Sequence, residues 1–102
     1  MSVGRDFVVM GTDGLFDNLY DEDIENCLRP GIKPAGKQDD EEVFELADPE
    51  GVANCMAAKA YNLSKDSRYN SPFAKGAWQA RIPYRGGKED DITVIVSQII
   101  RK

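Results

Sequence analysis

The chain predicts an α+β fold in the order strand–helix–loop–helix–loop–strand, with the two main strands antiparallel. Three observations carry this prediction. Apolar runs near both ends, Phe7-Val8-Val9-Met10 and Ile92-Thr93-Val94-Ile95-Val96, have the composition of strands. Between them, Asp48-Pro49 opens a segment whose apolar residues recur at helical spacing. Acids gather at one end of each apolar run: Asp13 and Asp17 follow the first, and Asp90 and Asp91 precede the last.

The first strand is expected from Asp6 to Thr12. Its apolar residues are consecutive rather than alternating, which predicts burial on both faces. Gly11 and Gly14 bracket its end and allow a sharp turn. A two-turn helix then starts at Asp21, which can cap it. Glu22 and Asp23 suit the positive end of the helix dipole, and Ile24, Cys27 and Leu28 share one stripe. Pro30-Gly31 stops it. Residues 29–47 contain Pro30, Gly31, Pro34 and Gly36 and then the acidic run Asp39-Asp40-Glu41-Glu42, so they read as an acidic, solvated, mobile linker. The acidic run alternatively suits calcium or a basic partner. Val43-Phe44-Glu45-Leu46 alternates with period two and pins the end of the loop to the core.

In the long helix Asp48 is the cap, and Pro49 occupies the first turn, where its lack of an N–H costs nothing. Val52, Cys55, Met56, Ala60 and Leu63 form the inward stripe, and Met56 and Tyr61 read as core; the helix ends around Ser64–Ser67. Residues 68–88 read as an irregular stretch whose aromatics, among them Tyr69, Phe73, Trp78 and Tyr84, must pack on something, either this domain or a partner. The last strand is expected from Ile92 to Ile100 and, like the first, buried on both faces. Ile92, Val94 and Val96 lie on one side, and Thr93, Ile95 and Ile99 on the other.

At 102 residues the chain is one domain at most, and two strands with two helices make a thin core. A formal net charge of −5 without a basic cluster argues against nucleic acid and anionic membrane as partners. No apolar run approaches the roughly 18 residues of a membrane span. Met1-Ser2-Val3-Gly4-Arg5 reads as neither a signal nor a transit peptide. Cys27 and Cys55 lie far apart in helix-like segments and read as buried thiols in a reducing compartment. Having no histidine, the chain lacks the commonest general base and zinc ligand, so any chemistry runs through carboxylates.

Antiparallel pairing would lay the end of the first strand beside the start of the last, so that Asp13 and Asp90 face one small volume. Acids placed together repel, and a cation between them relieves the repulsion. Oxygen-only donors favour Mg²⁺ or Mn²⁺ over zinc. The same residues also read as an ordinary Asp-Gly turn and an acidic strand cap.

Gly11-Thr12-Asp13-Gly14-Leu15-Phe16-Asp17-Asn18 and Gly86-Gly87-Lys88-Glu89-Asp90-Asp91-Ile92-Thr93-Val94 resemble the last two motif blocks of the metal-dependent serine/threonine protein phosphatases of the 2C type. Ser71-Pro72-Phe73-Ala74 is similar to the organellar and mitochondrial subgroup. The resemblance implies part of an α-β-β-α sandwich. It also implies hydrolysis of phosphoserine or phosphothreonine in phosphoprotein substrates, by a water bridging two Mg²⁺ or Mn²⁺ ions. Asp13 and Asp90 would be metal ligands, Asp17 and Asp91 would orient ligands or water, and Thr12 and Thr93 would be structural.

The family's glutamate-aspartate, its Asp-Gly-x-Gly-Gly block and its phosphate-gripping arginine have no counterpart in residues 1–102. The chain is therefore expected to be the C-terminal part of such an enzyme, partnered by the N-terminal half of the same domain and inactive alone. The strand faces that half would cover are expected to be exposed or self-associated. An intracellular, by resemblance mitochondrial, location is expected. Two alternatives stand beside this reading: a non-catalytic interaction module that keeps the fold, and a plain acidic structural domain.

Overall fold

The computed structural model describes residues 7–98. The expectations for Met1 to Arg5, and for strand residues Asp6, Ile99 and Ile100, lie outside the described residues. The order is β1 (Phe7–Gly11), α1 (Asp13–Phe16), α2 (Asp21–Leu28), a 3-10 turn (Arg29–Gly31), β2 (Ile32–Gln38), β3 (Glu41–Leu46), α3 (Pro49–Ser64), α4 (Pro72–Gln79) and β4 (Val94–Gln98). The α+β class is as expected, and so is the antiparallel pairing of the terminal strands. Phe7 lies opposite Gln98, Val9 opposite Val96 and Gly11 opposite Val94.

The two-sided burial expected for these strands is not what forms. Phe7 and Val9 point into the core with Val94 and Val96, and α3 packs against this face. On the reverse face Met10 and Ile95, which are cross-strand partners, are each about half exposed (50% and 51%). A two-stranded sheet with helices on one side covers only that side, so a consecutive apolar run need not be buried twice. β4 also starts two residues later than expected, at Val94.

α2 begins at Asp21 as expected, but its cap is different. Tyr20 is the N-cap residue, and its N–H donates to the Asp23 carboxylate at 3.0 Å. Ile24, Cys27 and Leu28 are buried on one stripe. α3 is capped as read: the Asp48 carboxylate accepts from the Gly51 N–H at 3.0 Å, and Pro49 is its first residue. Val52, Met56 and Ala60 fill the core, whereas Tyr61 is 55% exposed and is not a core residue. Cys55 lies at the surface on the edge of that stripe. It is joined to buried Cys27 in a disulfide, which corrects the reading of two free thiols. The packing of α2 on α3 brings the two Cα atoms to 5.6 Å, within bridging range, although 28 residues separate them in sequence.

Residues 29–47, expected as an acidic linker, instead form the 3-10 turn and the β2–β3 hairpin. Asp39 and Asp40 supply the two-residue turn with φ of 52° and 63°. Aspartate tolerates this left-handed region better than most side chains, and the primed turns of tight hairpins demand it. The acids that look like a solvated run are thus turn chemistry. The hairpin is tied to β4 by Gln98, whose amide accepts from the Leu46 N–H and donates to the Phe44 carbonyl, both at 2.8 Å.

The aromatic stretch contains a helix, α4. Ser71 caps it, accepting from the Ala74 N–H at 3.0 Å, and Pro72 is its first residue. Phe73 and Tyr84 meet edge to face at 4.9 Å, as do Tyr20 and Tyr69 at 6.4 Å. Trp78 is 59% exposed. Among the described residues no helix is long and apolar enough to cross a membrane.

Candidate functional site

The chain leaves β1 at Gly11 and turns at once into α1, so Asp13 sits at the strand's C-terminal end. β4 starts beside Gly11, so the segment leading into it, residues 88–93, runs past this turn. The contact is close: a Cβ on Gly14 would overlap the Asp91 carbonyl and lie 3.0 Å from the Ile92 side chain. The glycine of the Asp-Gly pair is there to let a backbone approach it.

Two side chains clasp the segments together. The Thr12 hydroxyl donates to the Asp91 carbonyl at 2.7 Å and accepts from the Thr93 N–H at 3.0 Å, and the Thr12 N–H donates to the Thr93 carbonyl at 3.1 Å. Asn18 is fully buried. Its amide donates to the Gly14 and Lys88 carbonyls and its oxygen accepts from the Lys88 N–H, all at 2.8 Å. No sequence signal separates Asn18 from the rest of its motif, because its partner Lys88 is 70 residues away.

A third block reinforces the arrangement. The buried Ser71 hydroxyl donates to the Gly86 carbonyl at 2.8 Å, and the Phe73 N–H donates to the Asp17 carbonyl at 3.1 Å. Gly87 packs on the last turn of α3, where a Cβ would overlap the Leu63 carbonyl. Ser71-Pro72-Phe73-Ala74 thus braces the double-glycine loop against the Asp17 turn.

Asp13, Asp90 and Asp91 are exposed and Asp17 is half-buried. Burial raises the Asp17 pKa, Lys88 opposes the rise, and Asp13 and Asp90 add to it, so the three carboxylates share one electrostatic neighbourhood. Lys88 lies 3.9 Å from the Asp17 carboxylate and 4.6 Å from the Phe73 ring centre. The Asp90 carboxylate accepts from the Asp91 N–H at 2.8 Å, which fixes its direction. Thr12 joins this arrangement through its hydroxyl and its N–H, and Thr93 through its backbone N–H and carbonyl. Among the described residues no three carboxylate, thiol or imidazole side chains converge into a group that could hold a metal by itself. Beside Lys88, an open depression of about 460 Å³ is lined by both signs of charge, including Lys65, Asp66, Arg85 and Glu89.

Tyr69 supports the site from below, its phenol donating to the Asn18 carbonyl at 2.8 Å. Burial, with smaller contributions from Asp23 and Tyr20, pushes its pKa up to about 12. The fold therefore favours the neutral phenol. Unfolded chains lose this proton near pH 10 while the folded chain keeps it, so the contribution of this one group to stability is constant below pH 10 and falls between about pH 10 and 12. In an ultraviolet pH titration one of the four tyrosines should ionise late, and that step should vanish in Tyr69→Phe. Ionisation of all four near pH 10 would contradict this assignment.

Proteins named protein phosphatase 2C are similar to this chain across nearly all of its length. The chain is 39% identical over 94 residues to the probable protein phosphatase 2C 80 of Arabidopsis thaliana, a match covering 92% of this chain and 20% of that protein. It is 38% identical over 95 residues to the protein phosphatase PTC7 homolog fig of Drosophila simulans, covering 92% of this chain and 27% of that protein. Among solved structures, it superposes on the X-ray structure of the photosystem II phosphatase PBCP with a TM-score of 0.69 and 26% identity, over 98% of this chain and 38% of that one. No family model matches the chain. It spans between 11% and 27% of the length of curated relatives such as these, and across nearly all its own length it is related to them.

Proposed function

We propose that this chain is the C-terminal part of a metal-dependent protein phosphatase acting on phosphoserine and phosphothreonine, and that it needs the remainder of its domain for turnover. The observation that carries this reading is the convergence of the Gly11–Asn18 and Gly86–Val94 blocks, clasped by Thr12 and Asn18. Asp13 and Asp90 would contribute to holding Mg²⁺ or Mn²⁺. Both are exposed carboxylates whose charges each act on Asp17, and an all-oxygen donor set suits these hard cations. Two carboxylates make an incomplete set, so further ligands would come from outside this chain. When bound, the ions would supply an activated water and neutralise charge on the phosphoryl oxygens.

The chain's own residues then have separable tasks. Asp13 and Asp90 present negative charge at the mouth of the strand pair. Asp17, tied through its carbonyl to Phe73 and through its carboxylate to Lys88, orients neighbouring ligands or water, and Asp91 holds Asp90 in place through its N–H. The half-exposed Met10–Ile95 face would be covered by the rest of the domain. We further propose an intracellular setting, mitochondrial by the subgroup resemblance of Ser71-Pro72-Phe73-Ala74.

The test is phosphopeptide hydrolysis with Mn²⁺. This chain alone should release no phosphate, and a protein that carries the rest of the relatives' length should. In the longer protein, Asp13→Asn and Asp90→Asn should each lower turnover by roughly 100-fold or more, within the range found when a charge-stabilising group is removed. Robust turnover by residues 1–102 would overturn the claim of incompleteness. Unaltered turnover in both variants would favour a module without this chemistry.

A further inference from the structure

We propose that Thr12 and Asn18 are positioning residues, which together set where Asp90 stands relative to Asp13. The inference rests on the reading of Asp13 and Asp90 as metal ligands, and it assigns a task to two residues of the same motif that are not themselves ligands.

Asp90 sits in a six-residue segment, 88–93, that leads into β4 without regular structure. Such a segment has no ladder of its own to hold it, yet it is fastened at both ends. At Lys88 the Asn18 amide takes both the N–H and the carbonyl, imitating one rung of a sheet. At Asp91 and Thr93 the Thr12 hydroxyl takes one carbonyl and one N–H. Both clasps originate in the block that carries Asp13: Thr12 precedes it, and Asn18 returns a third bond to the Gly14 carbonyl just after it. One short turn therefore fixes both walls of the site.

The chemistry of the clasps is demanding. Asn18 uses two donors and one acceptor at once. Aspartate lacks the donors, and glutamine is a methylene too long for the same frame. Thr12 needs a hydroxyl that donates and accepts together, which valine of the same shape cannot supply. Partners that orient metal ligands typically change metal affinity by roughly 10–100-fold when removed.

Thr12 offers a pair of substitutions that separates positioning from packing. Thr12→Val keeps the branched shape and removes the hydroxyl, whereas Thr12→Ser keeps the hydroxyl and removes the methyl. Amide hydrogen exchange is measured on the 102-residue chain, and Mn²⁺ alone is then titrated into the same variants of the longer protein that carries the rest of the relatives' length. The expected result is exchange at Thr93 that is unchanged in Thr12→Ser and roughly five- to tenfold faster in Thr12→Val, with α3 unaffected in both. The Mn²⁺ midpoint should weaken roughly tenfold or more in Thr12→Val and be kept in Thr12→Ser. The opposite order, with valine tolerated and serine not, would overturn the proposal in favour of a packing role. If neither the variants nor the unmodified form of the longer protein binds Mn²⁺, the metal reading falls while the order of exchange rates still decides the positioning claim. Should Thr12→Val fail to fold, the unmodified chain decides: Lys88 and Thr93 amides that open together support two clasps on one segment, and unrelated opening rates overturn it.

Discussion

Replacing Asn18 by aspartate should destabilise the chain by about 3–5 kcal/mol, a large part of the 5–15 kcal/mol typical of a domain this size. The substitution is nearly isosteric, so the effect is chemical. The amide is fully buried and its NH₂ donates to the Gly14 and Lys88 carbonyls. A carboxylate there would face two carbonyl oxygens with no proton to offer, in a site closed to water. Burial and these acceptors would raise the new carboxyl's pKa in the folded state. Its protonated form would restore one donor, so the deficit should be larger at pH 8 than at pH 5. Thermal melting at the two pH values checks both size and sign. An Asn18→Asp chain that melts like the unmodified one at both would show that the clasp carries no stability.

The second large effect is expected at Gly14. A methyl there would overlap the Asp91 carbonyl, which the Thr12 hydroxyl holds in place, and would crowd the Ile92 side chain. Both the turn and the segment are backbone, so neither can yield as a flexible side chain would. Gly14→Ala should cost about 1–3 kcal/mol in overpacking and weaken Mn²⁺ binding roughly tenfold by pushing Asp90 away from Asp13. Gly76→Ala makes the same chemical change inside α4, where a Cβ would meet nothing within 4 Å. It should stabilise by about 0.5–1 kcal/mol through helix propensity. Opposite signs for one substitution at two glycines would locate the cause in the Gly14–Asp91 contact. A loss of similar size at both would assign it to glycine replacement in general.

What could be read from the chain, and what could not, follows from the range of the interactions. The acidic blocks lie within a few residues of their strands, so composition and order were enough to bring Asp13 and Asp90 to one end of an antiparallel pair. The Asp48-Pro49 helix start was equally local. Ser71-Pro72 is the same kind of start, but Gly76 and the surrounding aromatics disguised the short helix behind it. The Asp39-Asp40 turn was hidden by charge, because acids in a row suggest solvation before they suggest left-handed backbone. Asn18 and the Cys27–Cys55 pair were beyond reach for another reason. Their partners, Lys88 at 70 residues and Cys55 at 28, become neighbours only once the helices and strand segments have packed. The one-sided burial of β1 and β4 belongs with these, since it depends on which face α3 covers rather than on the strands themselves.

In the proposed function, the Gly11–Asn18 and Gly86–Val94 blocks form one cation-binding wall. Titrating Mn²⁺ into the isotopically labelled chain and following paramagnetic broadening of its backbone amides tests this most directly. Amides flanking Asp13 and Asp90 should broaden together, with one midpoint, ahead of those at the Asp39-Asp40 turn. Broadening at that turn first, or at Asp13 and Asp90 with unrelated midpoints, would contradict it.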